Sequence, residues 1–208
     1  MEAILDFLSQ HWMELLSAVL GVIYMIQQSK TSAWMWATGT IMPVIKLFVD
    51  FDAGLYADFG MQIYYILIAV YGFWMWQRKV KVVPEGDVQQ EEIKVLKVSN
   101  LPHNYWLPLI GVLLVLYLLM AYLLSFTDSD VIWIDSLNTA LCIIGMWTCA
   151  RKYIENWWFW ITYDVICIPL YLYKELYFWA IMAVVYIILG LIGWRKWRKM
   201  QYEDIILK

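Results

Sequence analysis

Histidine is nearly absent from this 208-residue chain: His11 and His103 are the only two, in or near loops and far from any second ligand. Cysteine is scarce too. Cys142, Cys149 and Cys167 form an odd set inside apolar runs, without metal-ligand spacing, and read as small packing residues. These shortages argue against a zinc-type site, and neither metal nor cofactor is expected. The start, Met-Glu-Ala-Ile-Leu-Asp-Phe-Leu, lacks a basic n-region and an A-x-A-like cleavage site, so no cleavable signal peptide is expected. Charged residues make up only 16%, with a net charge of −3. No nucleic-acid partner is expected.

What the chain has is apolar bulk. It is 63% hydrophobic and 18% aromatic, with a mean hydropathy of +0.61. A soluble domain carries about 45–50% apolar residues. Apolar runs approaching the ~20 residues needed to cross a bilayer recur along the sequence. They predict an all-α membrane protein with seven transmembrane helices, at roughly 13–28, 33–50, 59–77, 106–125, 137–150, 156–173 and 176–194. Ile4, Leu5, Leu8 and Trp12 either extend the first span or lie on the surface.

Lysine and arginine set the orientation. Thirteen of the fifteen fall on one side: Lys30, the 78–97 loop, Arg151, Lys152, the 195–199 cluster and Lys208. Lys46 and Lys174 are the exceptions. The basic side is expected to be cytoplasmic, with the N-terminus outside and the C-terminus inside. The 78–105 loop, with its Pro-Glu-Gly-Asp turn, reads as a solvated linker with room for a small hairpin. Trp74, Trp76, Trp194 and Trp197, beside basic residues, read as interfacial belt anchors, and Lys46 with Asp50 as an i, i+4 ion pair.

An internal repeat organises the spans. Residues 54–79 align without a gap on 175–200 at a shift of 121, matching Leu55-Tyr56 to Leu176-Tyr177, Tyr65 to Tyr186, Gly72 to Gly193 and Trp76 to Trp197. Earlier in each half a shift of 124 matches Gly21 to Gly145, Trp34 to Trp158, Trp36 to Trp160 and Thr40 to Asp164. The plan is therefore 3+1+3: a first three-helix bundle (1–79), a cytoplasmic loop (80–105), a connecting helix (106–125), and a second bundle with a basic tail (126–208). An odd connector makes the repeats parallel, an arrangement found in transporters with substrate held near the midplane.

"IENWWFWITYD", residues 154–164, is the most unusual stretch. Helical spacing brings Trp157, Trp160, Asp164 and Tyr171 near one face. An aspartate at mid-membrane costs ~2.5–3.5 kcal/mol, so Asp164 should face the bundle interior or water. Tryptophan faces attract cations and stack on flat rings. The candidate substrate-binding set is Trp34, Trp36, Thr40, Gln62, Asn138, Trp157, Trp158, Trp160 and Asp164. For Gln62, Asn138 and Thr139 the commoner use, hydrogen bonding between helices, stands beside the binding role. The spans hold no histidine, no second carboxylate at catalytic spacing and no activated nucleophile, which argues against an enzyme.

"GLYADFGMQIYY…YGFWMW" and "DSLNTALCIIGMWTCARKYIENWWFWITYDVICIPLYLYKELY" resemble the PnuC family of bacterial vitamin transporters, over nearly the whole chain. The resemblance implies a fold similar in plan to the SWEET transporters. It also implies facilitated diffusion across the bacterial inner membrane, with a cytoplasmic vitamin kinase or pyrophosphokinase trapping the cargo. Nicotinamide riboside is that family's best-known substrate, and thiamine (PnuT) and riboflavin branches exist. An asparagine commonly stands there in place of Asp164, and a glutamine in place of Lys174. A carboxylate is a good acceptor for a pyrimidine amine, so thiamine is narrowly favoured over nicotinamide riboside. The oligomeric state is left open, a homo-oligomer included.

Overall fold

The computed structural model describes residues 2–52, 56–82, 92–127 and 130–206. Seven helices carry the chain: α1 (Glu2–Ser29), α2 (Trp34–Asp52), α3 (Tyr56–Gln77), α4 (His103–Leu124), α5 (Ile132–Ala150), α6 (Asn156–Tyr173) and α7 (Tyr177–Ile206). Each forecast span falls on one of them, and α1 runs unbroken through the amphipathic start. Among the described residues, four segments are long and apolar enough to cross a membrane: Phe59–Gln77, His103–Leu124, Ile132–Ala150 and Tyr177–Glu203. Leu55 and the Pro84–Asp87 turn lie outside the described residues.

Helix contacts close a ring. α1 packs on α2 and α2 on α3; α5 packs on α6 and α6 on α7; α1·α7 and α3·α5 join the two halves. α4 lies against α5 outside this ring and leaves Leu107, Val115 and Leu118 exposed, as expected of a helix solvated by lipid tails.

The 78–105 loop is more than a linker. β1 (Lys79–Val82) and β2 (Glu92–Val95) pair antiparallel, Lys79 opposite Val95. Beyond them the expected solvation gives way to docking. Ser99 forms a parallel bridge with Tyr153; its N–H donates to the Lys152 carbonyl (3.1 Å) and its carbonyl accepts from Ile154 (2.9 Å). The Leu101 N–H donates to Glu155 Oε2 at 2.8 Å, and Val98 and Leu101 are buried. Two apolar side chains and three backbone partners outweigh solvation for this segment.

Lys152 sits at that junction in a left-handed conformation (φ 55°). Its ammonium donates to the Leu96 carbonyl at 3.0 Å and lies 4.7 Å from the centre of the Trp76 ring. Burial lowers its pKa from 10.5 to about 8, against an opposing pull from Cys149. The unfolded chain keeps this proton up to 10.5, so between about pH 8 and 10.5 unfolding takes up a proton and stability rises with pH. Thermal unfolding in detergent should show that rise in the wild type and a flatter profile in Lys152→Met; parallel profiles would refute it.

The contacts within the two halves follow a single offset. Trp36 meets Trp76 edge-on at 5.7 Å and 85°, and Trp157 meets Trp197 edge-on at 5.5 Å and 84°. Gly72 leaves room for the Trp36 ring and Gly193 for that of Trp157; a methyl group at either would fall on the indole. Thr31 (φ 53°) and Lys152 (φ 55°) take the same left-handed turn after α1 and α5. All these pairs are 121 apart, as are the starts of α3 and α7 at Tyr56 and Tyr177. The 124 register expected for the first two helices of each half is thereby corrected: Trp36 corresponds to Trp157, and Asp164 to Pro43. α2 ends at Asp52 and α6 at Tyr173, again 121 apart.

Candidate functional site

A layer of large side chains closes the end of the ring where α1 turns into α2 and α5 into α6, the end that carries most of the basic residues. Met35, Trp36, Trp76, Cys149, Ile154, Trp157 and Trp197 are all buried there. Trp76 donates its indole N–H to the Cys149 carbonyl at 3.2 Å, from the first half to the second. Trp197 donates to the Gln28 carbonyl at 3.0 Å, from the second half to the first. Gln28 Nε2 also donates to Asn156 Oδ1 at 2.7 Å. Trp76 and Trp197 are therefore not belt anchors: an indole N–H that finds a buried acceptor gains more than one left at the interface. Trp74 and Trp194 are less buried, with Arg78 and Arg198 about 5.0 and 5.1 Å from their ring centres.

Above this layer two neighbouring pockets, the lobes, open between the halves. One, of about 210 Å³, is walled by Trp160, Asp164 and Tyr171 from α6, Trp179 and Tyr186 from α7, and Tyr24 and Gln28 from α1. The other, of about 330 Å³, is walled by Thr38, Gly39, Pro43 and Lys46 from α2, with Tyr65 and Cys142. Gly21, Tyr24 and Trp160 belong to both. Gly21 leaves room for Tyr186: a side-chain carbon there would fall on its phenol.

Asp164 is 7% exposed, and among the described residues no group donates a hydrogen bond to its carboxylate. An ionised carboxylate away from bulk water without a partner is costly. The Trp160 indole N–H in the same wall is buried and lacks an acceptor as well. An acceptor without a donor thus stands beside six aromatic rings, those of Tyr24, Trp160, Tyr163, Tyr171, Trp179 and Tyr186.

The structure brings only Trp160 and Asp164 of the expected set to this cavity. Trp157 is buried in the closing layer, and Trp36 joins that layer from the other half. Trp34 is 67% exposed, and with Thr40 it borders an outer groove. Thr40 donates to the backbone of its own helix, at Ala37 (2.8 Å). Trp158 is 46% exposed, edge-on to Trp194. Asn138 donates to Cys167 Sγ at 3.4 Å, while its Oδ1 has no partner. Gln62 donates to Asp50 Oδ2 at 3.0 Å, replacing the expected Lys46–Asp50 pair, because Asp50 is buried in contact with α3. Tyr24, Gln28, Tyr163, Trp179 and Tyr186 were missed. The one signal available was Tyr186, the repeat mate of Tyr65.

Residues 11–199 match the family model described as nicotinamide mononucleotide transporter. The chain belongs to that family. Among its curated relatives is the riboflavin/roseoflavin transporter RibM of Streptomyces davaonensis, 25% identical over 89% of this chain and 84% of that one. The nicotinamide riboside transporter PnuC of Escherichia coli is 22% identical over 89% and 84%, and that of Haemophilus influenzae 22% over 91% and 80%. A crystal structure of the vitamin B3 transporter PnuC superposes with a TM-score of 0.70 at 19% identity, covering 96% of this chain and 86% of that one. The PnuC membership read from the sequence motifs holds, and the protein is a transporter rather than an enzyme.

Proposed function

We propose that this family member carries a flat cationic vitamin into the cell by facilitated diffusion, binding it at Asp164 and Trp160. The observation that carries the reading is Asp164 itself: a carboxylate without a donor, in an aromatic cavity between two halves. A delocalised cation supplies the missing charge while its ring stacks on the indole, an interaction worth about 2 kcal/mol or more when desolvated. Two of the relatives are named for nicotinamide riboside, which favours that vitamin over thiamine. The carboxylate argument for thiamine is put to the same test.

The recurrence of contacts at one offset supports a parallel 3+1+3 repeat of the SWEET kind, with all seven helices spanning the inner membrane. Positive charge at the closed end supports a cytoplasmic C-terminus. The layer of tryptophans is then the closed cytoplasmic side, and transport is a rocking of the halves that opens it. Trapping by a cytoplasmic kinase would make such uptake one-way.

Tryptophan quenching of the purified protein by nicotinamide riboside, thiamine and riboflavin tests the reading. Asp164→Asn should weaken binding of the two cations roughly 10- to 100-fold, as for loss of a charge-assisted bond, and leave any riboflavin binding unchanged. Trp160→Ala should weaken the cations more than Trp158→Ala. Unaltered cation affinity in Asp164→Asn would remove the carboxylate from the site.

A further inference from the structure

α3 and α4 both pack on α5, and between them, outside the ring, lies a groove of about 400 Å³. Tyr105 and Val112 of α4, Ile68 of α3, and Ile143 and Trp147 of α5 line it. Tyr64, also in the wall, already donates its hydroxyl to the Ile143 carbonyl at 3.0 Å. The groove shares no lining residue with either lobe, so what it holds is a separate matter from the cargo.

The end of the groove toward the basic side of the bundle is charged. Arg151, the C-cap of α5, stands one turn beyond Trp147 and lays its guanidinium 5.8 Å from that ring's centre. Its Nε is buried without an acceptor, and among the described residues no carboxylate pairs with it. Glu155, in the same turn, accepts from the Leu101 N–H instead, at 2.8 Å. A guanidinium has five donors and no acceptor, and a buried donor left unpaired is costly. The first turn of α4, which brings Tyr105 to the groove, has no side-chain cap, and a helix N-terminus favours negative charge.

We propose that this groove holds one anionic phospholipid, with an acyl chain between α3 and α4 and the phosphate on Arg151. Basic pockets between transmembrane helices recognise such headgroups. The planar fork of an arginine matches two phosphate oxygens, and Trp147 holds the fork in place by stacking. A free phosphate would meet Arg151 but leave the apolar groove unfilled.

Native mass spectrometry of the full-length protein decides it, after release from micelles doped equally with phosphatidylglycerol and phosphatidylcholine of the same acyl chains. The wild type should retain one phosphatidylglycerol per chain, about fivefold in preference to phosphatidylcholine, the scale of one basic residue at an anionic surface. Arg151→Gln should erase the preference, and Arg151→Lys should keep part of it. Val112→Trp, which fills the groove, should shed the lipid. Arg198→Gln removes a like arginine–tryptophan pair elsewhere on the basic end and should change nothing. Circular dichroism checks that each variant is folded. Equal retention of the two lipids by the wild type would overturn the proposal, as would an Arg198→Gln effect as large as that of Arg151→Gln. Displacement of the lipid by soluble glycerol 3-phosphate would reduce the site to a phosphate site and remove the acyl chain from it. If Val112→Trp splits an oligomer instead of shedding lipid, a second copy fills the groove and the proposal falls.

Discussion

Gly21→Val is expected to abolish vitamin binding, by more than 100-fold, in a protein that still folds. Gly21 lies on α1 and lines both lobes, and a side-chain carbon there falls on the phenol of Tyr186. The obstacle is the far end of a rotatable side chain, so α1 and α7 need not separate. Tyr186 must swing aside instead, and the ring then competes with the ligand for a lobe of only about 210 Å³. Overpacking of this kind costs about 1–3 kcal/mol, and the valine methyl groups themselves occupy space a vitamin ring needs. Quenching titrations beside a thermal unfolding curve separate the two effects. Gly21→Ala should give a smaller loss of the same kind. Affinity near the wild type in the valine variant would show that the ligand lies elsewhere.

Replacing Trp76 and Trp197 together by phenylalanine is expected to open the closed end. Phenylalanine keeps most of the ring but deletes the N–H donors to the Cys149 and Gln28 carbonyls. Each such bond contributes roughly 1 kcal/mol net, so losing both should shift the balance toward the open form by about 10- to 30-fold. Cys149 reports the change because its side chain is fully buried in that layer. In a background of Cys142→Ala and Cys167→Ala, thiol alkylation of Cys149 should accelerate by about tenfold in the double variant. The two single variants should resemble each other, since their bonds are equivalent by position. An unchanged alkylation rate would rule out this pair as the closing contact.

The sequence reveals the helices better than their facing. A bilayer demands long apolar runs, so the spans stand out by length alone, and the Gly72–Gly193 and Trp76–Trp197 matches point to the like packing of Trp36 and Trp157. Facing is harder because lipid and protein interior are equally apolar. A helix such as α7, with Ile181 and Ile188 exposed and Ala183 buried, therefore shows no polar stripe. That is why Tyr24 and Trp179 escaped notice and why Trp197 resembled a belt residue. The 124 register had the same origin. It aligned Trp36 with Trp160 by residue type, whereas Gly72 and Gly193 show that Trp157 fills the equivalent space. Asp164 was legible because charge inside a membrane is expensive, and cost leaves few orientations open.

The crossed donation at the closed end also bears on how the protein is made. Trp76 and Gln28 are translated long before Cys149 and Trp197, so the first half enters the bilayer with the Trp76 donor waiting and the Gln28 carbonyl held by the Thr31 N–H alone. Its partners arrive only as the second half inserts. Biogenesis is therefore complete when the later helices dock, and a truncated first half lacks the neighbours that satisfy its own tryptophan.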